Sequence, residues 1–141
     1  MYLLLETILV KENKLQNLYY HNERVNDSRH HLLGADDRWD LNTMIKLPEL
    51  DVRTIYRCRC IYGHSIENIE VMPYTPRIVK SLFVAELNDV NYAYKYADRR
   101  IFEELKKRYP EKPNTDVLIA INGNITDASF ANIVFFNGNN W

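Results

Sequence analysis

The chain has 141 residues, 46% of them hydrophobic, enough for one substantial core or for two small lobes sharing an interface. It carries 18 basic and 19 acidic residues spread along its length, a net charge of −1, so no single-sign field gathers a polyanion and nucleic acid is not an expected partner. Cys58 and Cys60 lie two apart, on one face of an extended strand, which predicts reduced thiols in a half-buried strand and no disulfide framework. His21, His30, His31 and His64 have no ligand spacing, so no metal is expected. The start Met1-Tyr2-Leu3-Leu4-Leu5 is interrupted by Glu6, too early for a signal peptide. No apolar run approaches the roughly 18 residues of a membrane span. A soluble, cytoplasmic protein without a membrane partner is expected.

In chain order, residues 2 to 10 read as a strand, and Lys11-Glu12-Asn13 as a turn into a short return strand ending near Gln16. Asn17 is a candidate N-cap for a helix reaching Leu33, with Leu18, Val25 and Leu32 on one face and Gly34 as its stop. A shorter helix is predicted from Asp40 to Lys46, ending before Pro48. The β-branched and aromatic run from Asp51 to Tyr62 and the run from Ser65 to Met72, divided by Gly63-His64, predict a second hairpin. On its first strand Arg53, Arg57 and Arg59 would share a face with Ile55 and Ile61. That face reads as solvated, with a carboxylate-binding, interface or nucleic-acid role as the alternatives.

Pro73 and Pro76 predict the boundary between two lobes, 1–74 and 75–141. In the second, Arg77 to Leu87 reads as a strand and Ala97 to Arg108 as a helix with Ile101, Phe102 and Leu105 inward. Asp116 to Ile121 reads as a buried strand, Asn122-Gly123 as a type I′ turn, and Asn132 to Phe136 as another strand. Asn137-Gly138 repeats the turn signal with only three residues after it, so the second lobe is expected to be incomplete, through truncation or through a partner that finishes the sheet.

Among residues able to do chemistry, Lys95 stands out because Tyr92, Tyr94 and Tyr96 surround it in sequence. Burial disfavours the ammonium form, and a partly buried amine is suited to forming an imine. Local composition alone favours a lysine lying over tyrosine rings with its head in water. A resemblance reverses that preference. Tyr94-Lys95-Tyr96-Ala97-Asp98-Arg99, within the tract Asn91 to Arg100, resembles the segment bearing the Schiff-base lysine of class IV aminotransferase-like, fold-type IV enzymes that use pyridoxal 5'-phosphate (PLP). These include aminodeoxychorismate lyase and the branched-chain and D-amino-acid aminotransferases.

Beginning 27 residues after Lys95 (122 − 95), Asn122-Gly123-Asn124-Ile125-Thr126-Asp127 is similar to the family's hairpin whose carboxylate meets the pyridine nitrogen. The family's usual residue is glutamate, so Asp127 is one methylene short. On composition alone Asp127 is as well read as a turn cap. Tyr20-His21-Asn22-Glu23-Arg24 resembles the early helix whose arginine reaches the cofactor phosphate, which makes Arg24 the phosphate candidate; its plain reading is a solvated helix charge paired with Asp27.

The resemblance implies an α+β fold of two lobes, a homodimer, a small amino substrate and PLP held by Lys95, Asp127 and Arg24. The implied activity is that of an aminodeoxychorismate lyase, eliminating pyruvate to leave 4-aminobenzoate, with amino-acid transamination as the alternative. A third reading is a truncated non-catalytic remnant or a fragment of a longer protein, because the family's later glycine-containing loop and helix have no counterpart before Trp141.

Overall fold

The structure is a computed structural model that describes residues 2–88, 93–110 and 112–141. It divides into two compact units, Met1–Pro76 with Ala93–Asp98, and Arg77–Tyr92 with Arg99–Trp141. The short segment carrying Lys95 therefore packs with the first unit, although the chain has by then already entered the second.

The first unit is built on an antiparallel sheet of order β2-β1-β3-β4. Strand β1 (Leu4–Lys11) alternates as a half-buried strand should: Leu4, Glu6, Ile8 and Val10 face inward, and Thr7, Leu9 and Lys11 outward. Glu12 and Asn13 both take positive φ, 52° and 56°, the geometry of a type I′ hairpin turn, and lead into β2 (Lys14–Leu15). Helix α1 (Leu18–Leu33) follows at the expected place. Asn17 marks its start but does not cap it with its side chain. Its backbone is left-handed (φ 55°), whereas a capping side chain needs an extended one to reach back to the helix N–H groups.

Gly34 ends the helix at φ 65°, where its N–H and that of Ala35 bond to the carbonyls of His30 and Arg29. A Cβ at Gly34 would meet nothing within 4 Å, so the backbone angle and not the space requires glycine. Gly34→Ala is accordingly expected to cost about 1 to 2 kcal/mol of stability, read as a lower urea midpoint at unchanged slope.

Val25 on α1 is fully buried, and Leu18 and Leu32 pack beside it on a core made by Leu4, Ile8, Val10, Trp39, Leu41, Cys58, Cys60 and Tyr62. The helix also buries Asn26 and Arg29, which hold the chain that follows it. Asn26 exchanges bonds with the backbone of Trp39, and Arg29 grips Asp37 while lying 3.7 Å from the centre of the Trp39 ring. Helix α2 (Leu41–Met44) is capped by the Asp40 carboxylate. It stops short of the expected Lys46 because Ile45 turns extended and is buried in the core.

Strand β3 is Tyr56–Tyr62, five residues shorter at its start than the sequence suggests. Residues 51–55 are instead a turn in which the Asp51 carboxylate accepts the Arg53 N–H and its carbonyl accepts that of Thr54. Arg53 and Ile55 thus leave the face on which Arg57, Arg59 and Ile61 remain. Cys58, Cys60 and Tyr62 occupy the buried face, and both cysteines are free. Strand β4 (Ile66–Pro73) completes the sheet, with Pro73 as its last residue on an edge strand, where a missing N–H is tolerated.

In the second unit, β5 (Ser81–Leu87) and β6 (Thr115–Ile121) run parallel, joined by a crossover containing α3 (Arg100–Lys107). Phe102 and Leu105 of α3 pack on Ala85, Leu87, Val117 and Ile119. The helix begins three residues later than expected because the N–H of Ala97 is bound to the carbonyl of Leu3 in a strand-like contact. Asn122 and Gly123 (φ 50° and 76°) turn β6 into the antiparallel β7 (Asn124–Ala128). The strand expected over 132–136 is absent. The chain turns at 128–131, and only Asn132 pairs, in a single bridge to Asp127. The architecture is a mixed one of helices on two sheets, and no helix among the described residues is long and apolar enough to cross a membrane.

Candidate functional site

Lys95 is placed by its backbone. Its carbonyl accepts the Leu5 N–H at 2.9 Å, Tyr96 forms a bridge with Leu4, and the Ala97 N–H reaches the Leu3 carbonyl at 2.8 Å. The segment thus adds a short antiparallel contact to the free edge of β1. Tyr94 and Tyr96 pack against the first unit's core, and Lys95 between them is half-buried. Asn91 and Tyr92, which the sequence reading also invoked, lie outside the described residues.

Asp127 lies in β7 of the second unit, half-buried, with its backbone bridged to Asn132. Among the described residues its carboxylate has no hydrogen bond and no ion pair, although the turn-cap reading would give it one. Lys95 and Arg24 belong to the first unit and Asp127 to the second.

Arg24 has a partner that sequence reasoning missed. Its guanidinium forks onto the fully buried carboxylate of Glu6, Nε donating to Oε1 at 2.7 Å and Nη2 to Oε2. His21 Nδ1 stands 2.6 Å from the same Oε2. The helix turn that spaces His21 and Arg24 three residues apart puts both over β1. Burial alone would raise the Glu6 pKa, but the hydrogen bonds and charges of Arg24 and His21 outweigh it and hold the carboxyl below its ordinary range. The anticipated pairing of Arg24 with Asp27 is not what the fold uses.

The signal that could have found this site is a glutamate at an inward position of an alternating apolar strand, Leu4-x-Glu6-x-Ile8-x-Val10. Such a charge must find a cation. The same reasoning applies to Asp116, whose side chain is fully buried near the start of β6 and bonded by Ser129 and Lys106.

The two cysteines are unsuited to nucleophilic work. Burial pushes the Cys58 thiol up to about 11 and, with the nearby Cys58 and Glu6 adding to it, Cys60 up to about 12. Arg57 bonds to the Met72 sulfur at 2.8 Å on the outer face of the sheet. Among the described residues no group of three or more histidines, cysteines and carboxylates is disposed to hold a metal ion.

Of the groups that pyridoxal phosphate would need, Lys95 offers an amine on an anchored strand-like segment, and Asp127 a half-buried carboxylate unbonded among the described residues. Arg24 fits less simply, since Glu6 already takes one edge of its fork.

No family model matches the chain. Over 144 aligned residues it is 29% identical to an uncharacterized protein of Haemophilus influenzae (strain ATCC 51907 / DSM 11121 / KW20 / Rd), an alignment covering 100% of this chain and 75% of the other. Its fold matches, with a TM-score of 0.69 and 22% sequence identity, a crystal structure of a Haemophilus somnus 129PT protein provisionally named a 4-amino-4-deoxychorismate lyase. That match covers 92% of this chain and 68% of the other. At this level of identity the likeness is one of fold, and the chain shares the mixed α and β architecture of that protein's corresponding part.

Proposed function

We propose that the chain is a PLP-dependent enzyme of the aminodeoxychorismate lyase kind, acting on a small amino substrate. The observation that carries the reading is the pairing of roles on a fold that resembles such a lyase: an amine at Lys95 and, at Asp127, a half-buried carboxylate unbonded among the described residues. Bound PLP supplies an electron-withdrawing ring that stabilises negative charge at the substrate α-carbon. Lys95 would hold the cofactor through its amine and, as a free amine, would move the substrate α-proton. Asp127 would accept a hydrogen bond from the pyridine nitrogen and so favour its protonated form. Arg24 serves the phosphate only through the part of its guanidinium that Glu6 does not engage. Aminotransfer would use the same Lys95 and Asp127, and the two activities separate by product: pyruvate and 4-aminobenzoate, or a keto acid.

The test is direct. Purified protein mixed with PLP is expected to turn yellow, and borohydride to fix the cofactor on the peptide containing Lys95, located by mass spectrometry. A protein that stays colourless, or whose label sits on Lys80, Lys106 or another lysine, sinks the proposal.

A further inference from the structure

The turn that follows β7 is pinned at one residue from two directions. The Ser129 hydroxyl contacts both oxygens of Asp116, at 2.6 and 2.8 Å, and its single proton is shared between them. The Ser129 carbonyl accepts a hydrogen bond from Arg99 Nη2 at 2.9 Å. Asp116 is in turn fixed by the Val117 N–H at 2.9 Å and by Lys106 Nζ at 3.6 Å. The Arg99 guanidinium lies 3.9 Å from the centre of the buried Phe102 ring at the start of α3. Strand β6, helix α3 and the turn therefore converge on Ser129, two residues past Asp127.

A fully buried carboxylate is costly to desolvate and is retained where several bonds compensate it. Here those bonds do not join two core strands. They hold a short turn, closed by the Ala128 N–H on the Ala131 carbonyl and bridged at Asp127 to Asn132. Without them the end of β7 would be held only by the turn's own Ala128–Ala131 bond, the Asp127–Asn132 bridge and the last ladder contacts to β6.

From this geometry we infer that Asp116, Ser129 and Arg99 are positioning residues for Asp127, setting the backbone from which its carboxylate is presented. The inference rests on the proposed role of Asp127 opposite the pyridine nitrogen. It assigns a chemical purpose to a buried aspartate that the proposed reaction itself does not touch.

Two measurements test it on Ser129→Ala, Ser129→Thr and Asp116→Asn. In the protein without cofactor, hydrogen exchange at the amides of 127–132 is expected to quicken by on the order of tenfold or more in Ser129→Ala and Asp116→Asn, the scale of a lost bond to a charged group, and to be restored in Ser129→Thr. With PLP, Ser129→Ala is expected to keep the borohydride label on Lys95, while the pH dependence of its bound-cofactor absorption moves toward that of Asp127→Asn; Ser129→Thr returns it to wild type.

Unchanged exchange in Ser129→Ala would overturn the inference whatever happens with PLP. Faster exchange with a wild-type absorption profile would also overturn it, leaving Ser129 a purely structural clamp and the role of Lys95 intact. Wild-type protein that takes up no PLP would bring down the functional reading and this inference together.

Discussion

Lys95→Ala is expected to fold as the wild type does and to bind no cofactor covalently. The hydrogen bond tying residue 95 to β1 is made by its carbonyl, which alanine keeps, and the flanking Leu4–Tyr96 bridge and Ala97–Leu3 bond are backbone too. Removing a half-buried side chain at such a place changes stability by about 1 kcal/mol or less. Covalent attachment, by contrast, needs the amine itself, so the borohydride label should vanish and not merely weaken. The informative comparison is therefore a mutant with a wild-type melting curve and no label. A mutant that still carries reducible cofactor at wild-type stoichiometry would show that the amine is elsewhere. One that fails to fold would show that Lys95 is a structural residue whose side chain the fold cannot lose.

The elements set by local chemistry were legible from the residues alone. The β1–β2 hairpin, α1 with its Gly34 stop, and the Asn122-Gly123 turn each depend on backbone angles or side-chain periodicity contained within a few residues. The errors fall where another contact, near or distant, takes the backbone from the element that composition favours. Asp51 to Ile55 has strand composition, but its own aspartate captures the backbone as a turn before any strand can claim it. Ala97 has helix propensity, yet its N–H is spent on Leu3, more than 90 residues earlier (97 − 3 = 94). Residues 132–136 have a strand's composition, but the ladder stops after one bridge to Asp127.

The candidate site divides in the same way. Lys95 and Asp127 were found by resemblance to contiguous motifs. Glu6 and Asp116, whose importance comes from burial, become visible only when the strands around them are seen to have no outward face at those positions. Arg24 lies between the two cases. Its motif was read, but the 18 residues separating it from Glu6 hid the partner that fixes its direction.

That partnership makes Arg24→Ala the substitution with the largest expected effect on stability. Removing one member of a fully buried ion pair costs about 3 to 5 kcal/mol, because the remaining charge stays desolvated. Here the expected loss is smaller, about 2 to 3 kcal/mol, since the Arg24 side chain is 40% exposed and His21 remains bonded to Glu6. The loss should depend on pH with a definite sign. In the wild type the folded-state pKa of Glu6 is lowered, so the pair contributes above the ordinary glutamate range and its contribution disappears as pH falls through that lowered value. In Arg24→Ala the hydrogen bonds and charge of Arg24 are gone while the burial stays, so Glu6 takes up its proton at higher pH than in the wild type and acidification relieves the stranded charge. The two stability curves, measured by urea unfolding from neutral pH downward, should therefore converge in acid. Glu6→Gln should cost less than Arg24→Ala, because the cation it leaves behind is partly solvated, and adding it to Arg24→Ala should recover stability by removing the stranded charge. Parallel curves at every pH, or a double mutant no better than Arg24→Ala, would mean that the fork onto Glu6 is not what holds α1 against β1.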